Sequence, residues 1–262
     1  MTVDRKAEDR ASKSSVGVVE RLIAVLGLPI LLLAVVVLGR SARPEPDARV
    51  VRFDTFDDGV GGVWSHQEVT TARFKPTSAT QAELDPRSKR SFLGPFAAET
   101  VDLSLEELPD HAAITITFDF FAIGSWDGNN VENGPDRFQL RADDDDEPFF
   151  DASFTNGGPG GITKQSYPFQ FTEMRCPGTT GSSEYETLGF DFRSSPHNSV
   201  YRITRTFPHR GETLRVRFTG YGLSASSTDE SWGLDNVAVT TSTQLEPNPE
   251  PDWATQCNPL TE

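Results

Sequence analysis

The sequence predicts an all-β fold: an antiparallel β-sandwich of jelly-roll type behind one N-terminal transmembrane helix. Three observations carry that expectation. Some ten short apolar or alternating runs follow one another from residue 50 to 240, separated by Gly, Pro, Asn and Asp, as strands joined by turns are. No stretch of this body shows a confident amphipathic-helix period, and no repeat of fixed length occurs. The apolar content leans on 18 Phe against 2 Met, which suits packed sheets better than a helical bundle.

In chain order, residues 1–21 are polar, mixed in charge, and read as a disordered N-terminus. The uncharged run 22–39 (LIAVLGLPILLLAVVVLG) follows, and with Val16, Gly17, Val18 and Val19 upstream it is long enough to span a bilayer. Pro29 lies mid-span, where a membrane helix tolerates it. The alternative is a cleaved signal peptide; the long polar lead and the flanking Arg40 and Arg43 favour an uncleaved signal anchor. Basic residues flank both ends of the span, so the positive-inside rule barely discriminates its orientation. Residues 40–49 read as a Pro-containing stalk, 50–242 as the sandwich, and 243–262 as a Pro-rich acidic tail. The tail's Pro247, Pro249 and Pro251 favour an extended spacer, while Trp253 and Cys257 beyond them imply that it packs back.

Within the body, strands are expected at 50–56, 67–74, 99–105, 112–123, 136–142, 148–154, 187–192, 200–207, 212–219 and 233–240. The longest, around Ile114–Ile123, alternates Ile114, Ile116, Phe118 and Phe120 against Thr115, Thr117 and Asp119, so one face meets a core. Phe121 and Ile123 then load the second face, which implies cover on both sides at that end. Residues 155–186 read as a long loop-rich insertion.

Charge narrows the partners. Residues 1–49 hold 8 of the 24 basic and 6 of the 39 acidic residues, which leaves the body near −17. Nucleic acid is therefore not an expected partner. Cys176 and Cys257 are the two cysteines, with no zinc-like pattern among them and the four His. In an exported body they either pair or stay free.

Two acidic clusters offer oxygen ligands. Asp235 in Ser231–Val239 shares parity with Val237 and Val239, so it is expected to face the core, where a carboxylate needs a partner. Asp57 or Asp54, at the end of the first strand, would meet it if first and last strands lie side by side, with Ca²⁺ between them. Pairing of Asp235 with an arginine or with backbone amides is the alternative. The second cluster is the loop Trp126–Asp136, where Asp127, Asn129 and Asp136 are candidate Ca²⁺ ligands and Gly128 permits a tight turn. Its alternative is a turn whose Asn and Asp side chains cap backbone amides. The run Asp143–Glu147 reads as a solvated turn.

The opening Phe-Asp-Asp-Gly…Gly-Val-Trp (56–64) and closing Trp-Gly-Leu-Asp-Asn-Val (232–237) resemble the ends of MAM-type and reelin-repeat jelly rolls, over about residues 50–242. That resemblance implies an extracellular adhesion or recognition module of the broad lectin-like sandwich group, some members of which carry structural Ca²⁺. Gly61-Gly62 stands where a MAM cysteine would precede the Trp.

The function expected is a membrane-anchored, extracytoplasmic binding module for a glycan or a protein surface. Trp126 and Asn130 are its candidate ligand contacts, with a core or lid role as the alternative for Trp126. The rivals are a polysaccharide-active hydrolase on the same fold and a structural surface protein without ligand. No Glu-x-Asp-x-x-Glu, Gly-x-Ser-x-Gly or phosphate-loop pattern occurs, so no enzyme activity is expected.

Overall fold

The computed structural model describes residues 47–72, 90–158, 160–172, 174–248 and 257–259. The expected disordered N-terminus, the span 22–39, most of the stalk and Trp253 lie outside the described residues. Among the described residues no helix is long and apolar enough to cross a membrane.

Those residues form an all-β structure. Its strands are β1 (Arg49–Asp54), β2 (Val69–Thr71), β3 (Ser91–Phe96), β4 (Thr100–Leu105), β5 (Ala113–Gly124), β6 (Arg137–Ala142), β7 (Phe150–Ser153) and β8 (Lys164–Gln165). There follow β9 (Met174–Pro177), β10 (Glu184–Tyr185), β11 (Asp191–Phe192), β12 (Ser195–Pro196), β13 (Asn198–Pro208), β14 (Leu214–Tyr221), β15 (Glu230–Ser242) and β16 (Asn258–Pro259). The larger sheet runs β10-β13-β5-β15-β3-β2, with β1 also paired to β15, and the second runs β4-β14-β6-β7. First and last long strands do lie side by side, antiparallel.

The two sheets close on one aromatic core. Ile114, Ile116, Phe118 and Phe120 of β5 enter it, as their alternation requires, and all four are fully buried. Phe118 meets Phe218 of the second sheet edge-on at 5.5 Å, and Phe120 stacks on Phe138 at 4.2 Å. Offset and edge contacts of this kind add to area burial. Phe121 and Ile123 join Phe92, Leu188 and Val200 in a separate apolar cluster on the outer side of the large sheet, so β5 is covered on both faces there.

Three expectations need correction. β3 (SFLGPF) is a strand next to β15, at residues where no strand was expected. Gly94 sits at φ 126°, and a Cβ there would come 2.8 Å from the Trp232 carbonyl oxygen, so the glycine is what allows the close approach. The strand expected at 187–192 shrinks to Asp191–Phe192, in a hairpin with β12. The insertion 155–186 carries β8, β9 and β10, and Cys176 is bonded to Cys257 across 81 residues. That bond and the Asn258–Arg175 pairing bring the tail back to the body.

Candidate cation site

β5 ends at Gly124, whose positive φ of 89° and lack of a side chain let the backbone of Asp229 and Glu230 pass directly over it. The chain then runs Ser125, Trp126, Asp127. Asp127 bridges to Thr155, and Asn129 N–H donates to the Lys164 carbonyl at 2.7 Å. Asp136, just before β6, donates its N–H to the Gly128 carbonyl at 3.0 Å and accepts from the Asp127 N–H at 2.5 Å through Oδ2. Buried Asn156 ties this end down, donating to the carbonyls of Ala122 and Gly124. Three loop ends thus meet beyond β5, β6 and the start of β15.

The result is a group of three carboxylates, Asp127, Asp136 and Glu230, with one oxygen from each lying within 4.8 Å of the others. Asp136 is fully buried and Glu230 is 4% exposed. The second oxygen of Asp136, Oδ1, is buried without any hydrogen-bond partner. Asp229 stands beside them: Ser125 Oγ–H donates to Asp229 Oδ1 at 2.6 Å and lies 3.4 Å from Glu230 Oε1. Glu230 Oε2 accepts from the Ser224 N–H at 2.6 Å. Among the described residues no Lys, Arg or His forms an ion pair with any of these four acids.

Electrostatics follow from that crowding. Burial, then the charges of Glu230, Asp127 and Asp229, push Asp136 up to about 8, against the lowering effect of the Asp127 amide. Burial raises Asp127 as well, with Asp229 adding to it. Glu230 is also raised, first by burial and then by its acidic neighbours, with the Ser224 amide and Ser125 hydroxyl opposing. Like charges in a low dielectric either protonate or bind a cation.

The donor set fits a hard cation. All oxygens and no sulfur or imidazole select Ca²⁺ or Mg²⁺ over zinc or copper. Ligand oxygens about 2.3–2.6 Å from calcium lie at most about 5 Å apart, which the three carboxylates satisfy. Backbone oxygens or water would complete the shell.

Asp127 and Asp136 of the expected second cluster are therefore together, whereas Asn129 turns away and accepts from Ser153 Oγ. Asn130 Oδ1 caps the Glu132 N–H at 2.8 Å within its own loop. Trp126 is 1% exposed and donates to the Ser231 carbonyl at 2.9 Å, so it is a core ring and no sugar platform. Sequence reasoning missed Glu230 and Asp229, because only the pairing of Glu230 opposite Gly124 brings them to this loop.

The expected cation between Asp235 and Asp57 or Asp54 is replaced by other partners. A bulge between Asp235 and Ala238, with Asn236 at φ 50°, breaks the parity on which that expectation stood. Asp235 lies opposite Asp119 on the outer face, 3.6 Å from Arg90 Nε, and its Oδ1 accepts from the Asn236 N–H at 2.7 Å. Asp54 is held by Arg52 and by Trp64 Nε1 at 3.1 Å, and Asp57 accepts from the Ser91 N–H at 3.3 Å.

No protein-family model matches the chain, and no curated protein sequence matches it. Solved structures with partial likeness include the K3 cleaved adhesin domain of Lys-gingipain from Porphyromonas gingivalis w83, at 14% identity and TM-score 0.35 over 73% of this chain and 98% of that one. The Agl-KA catalytic domain gives 13% and 0.30, over 78% of this chain and 29% of that one. The VIP36 exoplasmic/lumenal domain, in its Ca²⁺/Man3GlcNAc-bound form, gives 12% and 0.27, over 77% and 94%. Likeness at this level carries no functional assignment.

Proposed function

We infer that this chain is an extracytoplasmic recognition module whose loop end is fastened by a divalent cation, Ca²⁺ by preference, and that it binds a glycan or protein surface without turning it over. The observation that carries the cation is the buried Asp127–Asp136–Glu230 group with its partnerless Asp136 oxygen. A cation there would join the loop after β5, the lead into β6 and the start of β15, as a structural clamp. Only Asp127 is partly open to solvent, so the clamp supports the loops and is not itself a contact for a ligand. The Cys176–Cys257 disulfide belongs with an oxidising compartment. Anchoring of the module through residues 22–39 is part of the same proposal.

The test is calorimetric titration of the metal-stripped full chain with CaCl₂, alongside Asp136→Asn. Saturable binding with one site in the wild type and none in the variant is expected. Absence of Ca²⁺ binding to the wild type would remove the cation from this account.

A further inference from the structure

We propose that the outer face of the large sheet, where exposed Phe53 and Arg202 flank half-buried Thr117, Thr204, Asp119 and Asn236, is a binding platform for a neutral glycan chain. Strand register builds it. Phe53 of β1 lies opposite Ala238 of β15, Ala238 opposite Thr117 of β5, and Thr117 opposite Thr204 of β13. These four side chains form one row across the sheet, on the face away from Phe118 and Phe120. Three strand spacings make that row about 14 Å wide, room for a short oligosaccharide. The neighbouring row repeats the pattern with Val50, Thr240, Thr115 and Thr206.

Each part offers what a polyhydroxylated chain needs. Phe53 is 57% exposed and Val50 is 61% exposed, on the flank of the large sheet. An exposed ring in that place can cover the apolar face of a sugar. The floor is low and hydroxylated: Thr117 Oγ1 meets Thr204 Oγ1 at 3.1 Å, and Thr115 meets Thr206 at 2.8 Å. Each pair uses one of its two O–H donors and leaves the other, with spare lone pairs, for a ligand. In the next row along β5 and β13, Arg202 Nη1 donates to Asp119 Oδ1 at 3.0 Å, and Asn236 Nδ2 donates to Asp119 Oδ2 at 2.7 Å. This joins a carboxylate, an amide and a guanidinium by hydrogen bonds, while the Arg202 side chain stays 46% exposed. Its Nε and Nη2 have no partner among the described residues.

Charge selects the ligand class. Arg202 offsets Asp119, and Arg90 offsets Asp235 opposite it, within a body near −17. That balance gives no attraction to a polyanion and no concentrated field for a basic peptide. Hydroxyl donors and acceptors beside an apolar ring match a neutral sugar. The proposal rests on the binding role inferred above but not on the cation, since none of its residues belongs to the carboxylate group.

The experiment is binding of the full chain to immobilised cellohexaose, xylohexaose, mannohexaose and laminarihexaose, with polygalacturonate and heparin as charged controls. Phe53→Ala and Arg202→Ala are run beside the wild type, with melting curves to show that both fold. The proposal expects binding to at least one neutral oligosaccharide, weakened ten-fold or more by each substitution at an unchanged calcium response. Binding that ignores both substitutions, binding to the charged controls alone, or no glycan binding would overturn it. So would self-association lost in Phe53→Ala without any glycan binding, which would make the face a contact between copies. A calcium response without glycan binding defeats the platform alone, and Phe53-dependent glycan binding without one defeats the cation alone.

Discussion

Asp136 and Asp235 are both buried acids with raised pKa values, yet their surroundings differ in kind. Asp136 has only acids and one amide around it, while Asp235 has Arg90 at 3.6 Å. Asp136→Asn keeps the shape of a protonated carboxyl, so it should melt near the metal-free wild type and gain nothing from Ca²⁺. The wild type should gain about 2.7 kcal/mol at a free concentration 100 times its dissociation constant. Differential scanning calorimetry in EDTA and in Ca²⁺ reads both, and an equal gain in the variant would exclude Asp136 as a ligand. Asp235 is pushed up to about 7, by burial first and against Arg90. A carboxyl held above its unfolded value near 4 keeps its proton in the fold while the unfolded chain has lost it. Stability from this group therefore falls as pH rises from about 4 to 7. Asp235→Asn cannot ionise, so its stability relative to wild type should improve between pH 5 and pH 8 in urea melts. A difference that stays constant with pH would contradict that sign.

At the scale of elements, the ends of β5 and β15 govern the site. Alternation in Ile114–Phe120 made β5 legible in the sequence, and the side-by-side placement of β1 and β15 followed from the jelly-roll expectation. Glu230 was not legible, because its approach to Asp127 depends on the long-range register Glu230–Gly124. Asp235 was misplaced for a local reason: one bulge, invisible to a period-two count, moves it to the other face. Asp54 and Asp57 were read as ligands from their place at the end of the first strand beside the last, whereas Arg52 and the Ser91 amide bond to them. Phe53 was hidden by its place in an apolar strand. Gly124 gives the element-scale test. A Cβ there would run into the Asp229 carbonyl, at a φ that side chains rarely adopt. Gly124→Ala should therefore cost at least ~2 kcal/mol and weaken Ca²⁺ binding together. Wild-type affinity in that variant would show that the 229–230 turn does not depend on the close approach. The disulfide is a second element-scale prediction: opening an 81-residue separation should lower stability by about 4–5 kcal/mol on the chain-entropy account. Urea melts of Cys176→Ser/Cys257→Ser check it, and an unchanged midpoint would show that the tail contributes nothing to the fold.

Across the described residues, an aromatic core fixes two sheets, a carboxylate group gathers three loop ends, and the proposed platform lies on the outer face of the larger sheet. The central claim is that a cation completes the loop end. A crystal structure of the full chain grown in millimolar CaCl₂ tests it most directly. The account predicts one anomalous density peak bonded to Asp127, Asp136 and Glu230 at about 2.3–2.6 Å. No peak there, with Asp136 instead sharing a proton with Glu230 at hydrogen-bond distance, would contradict it.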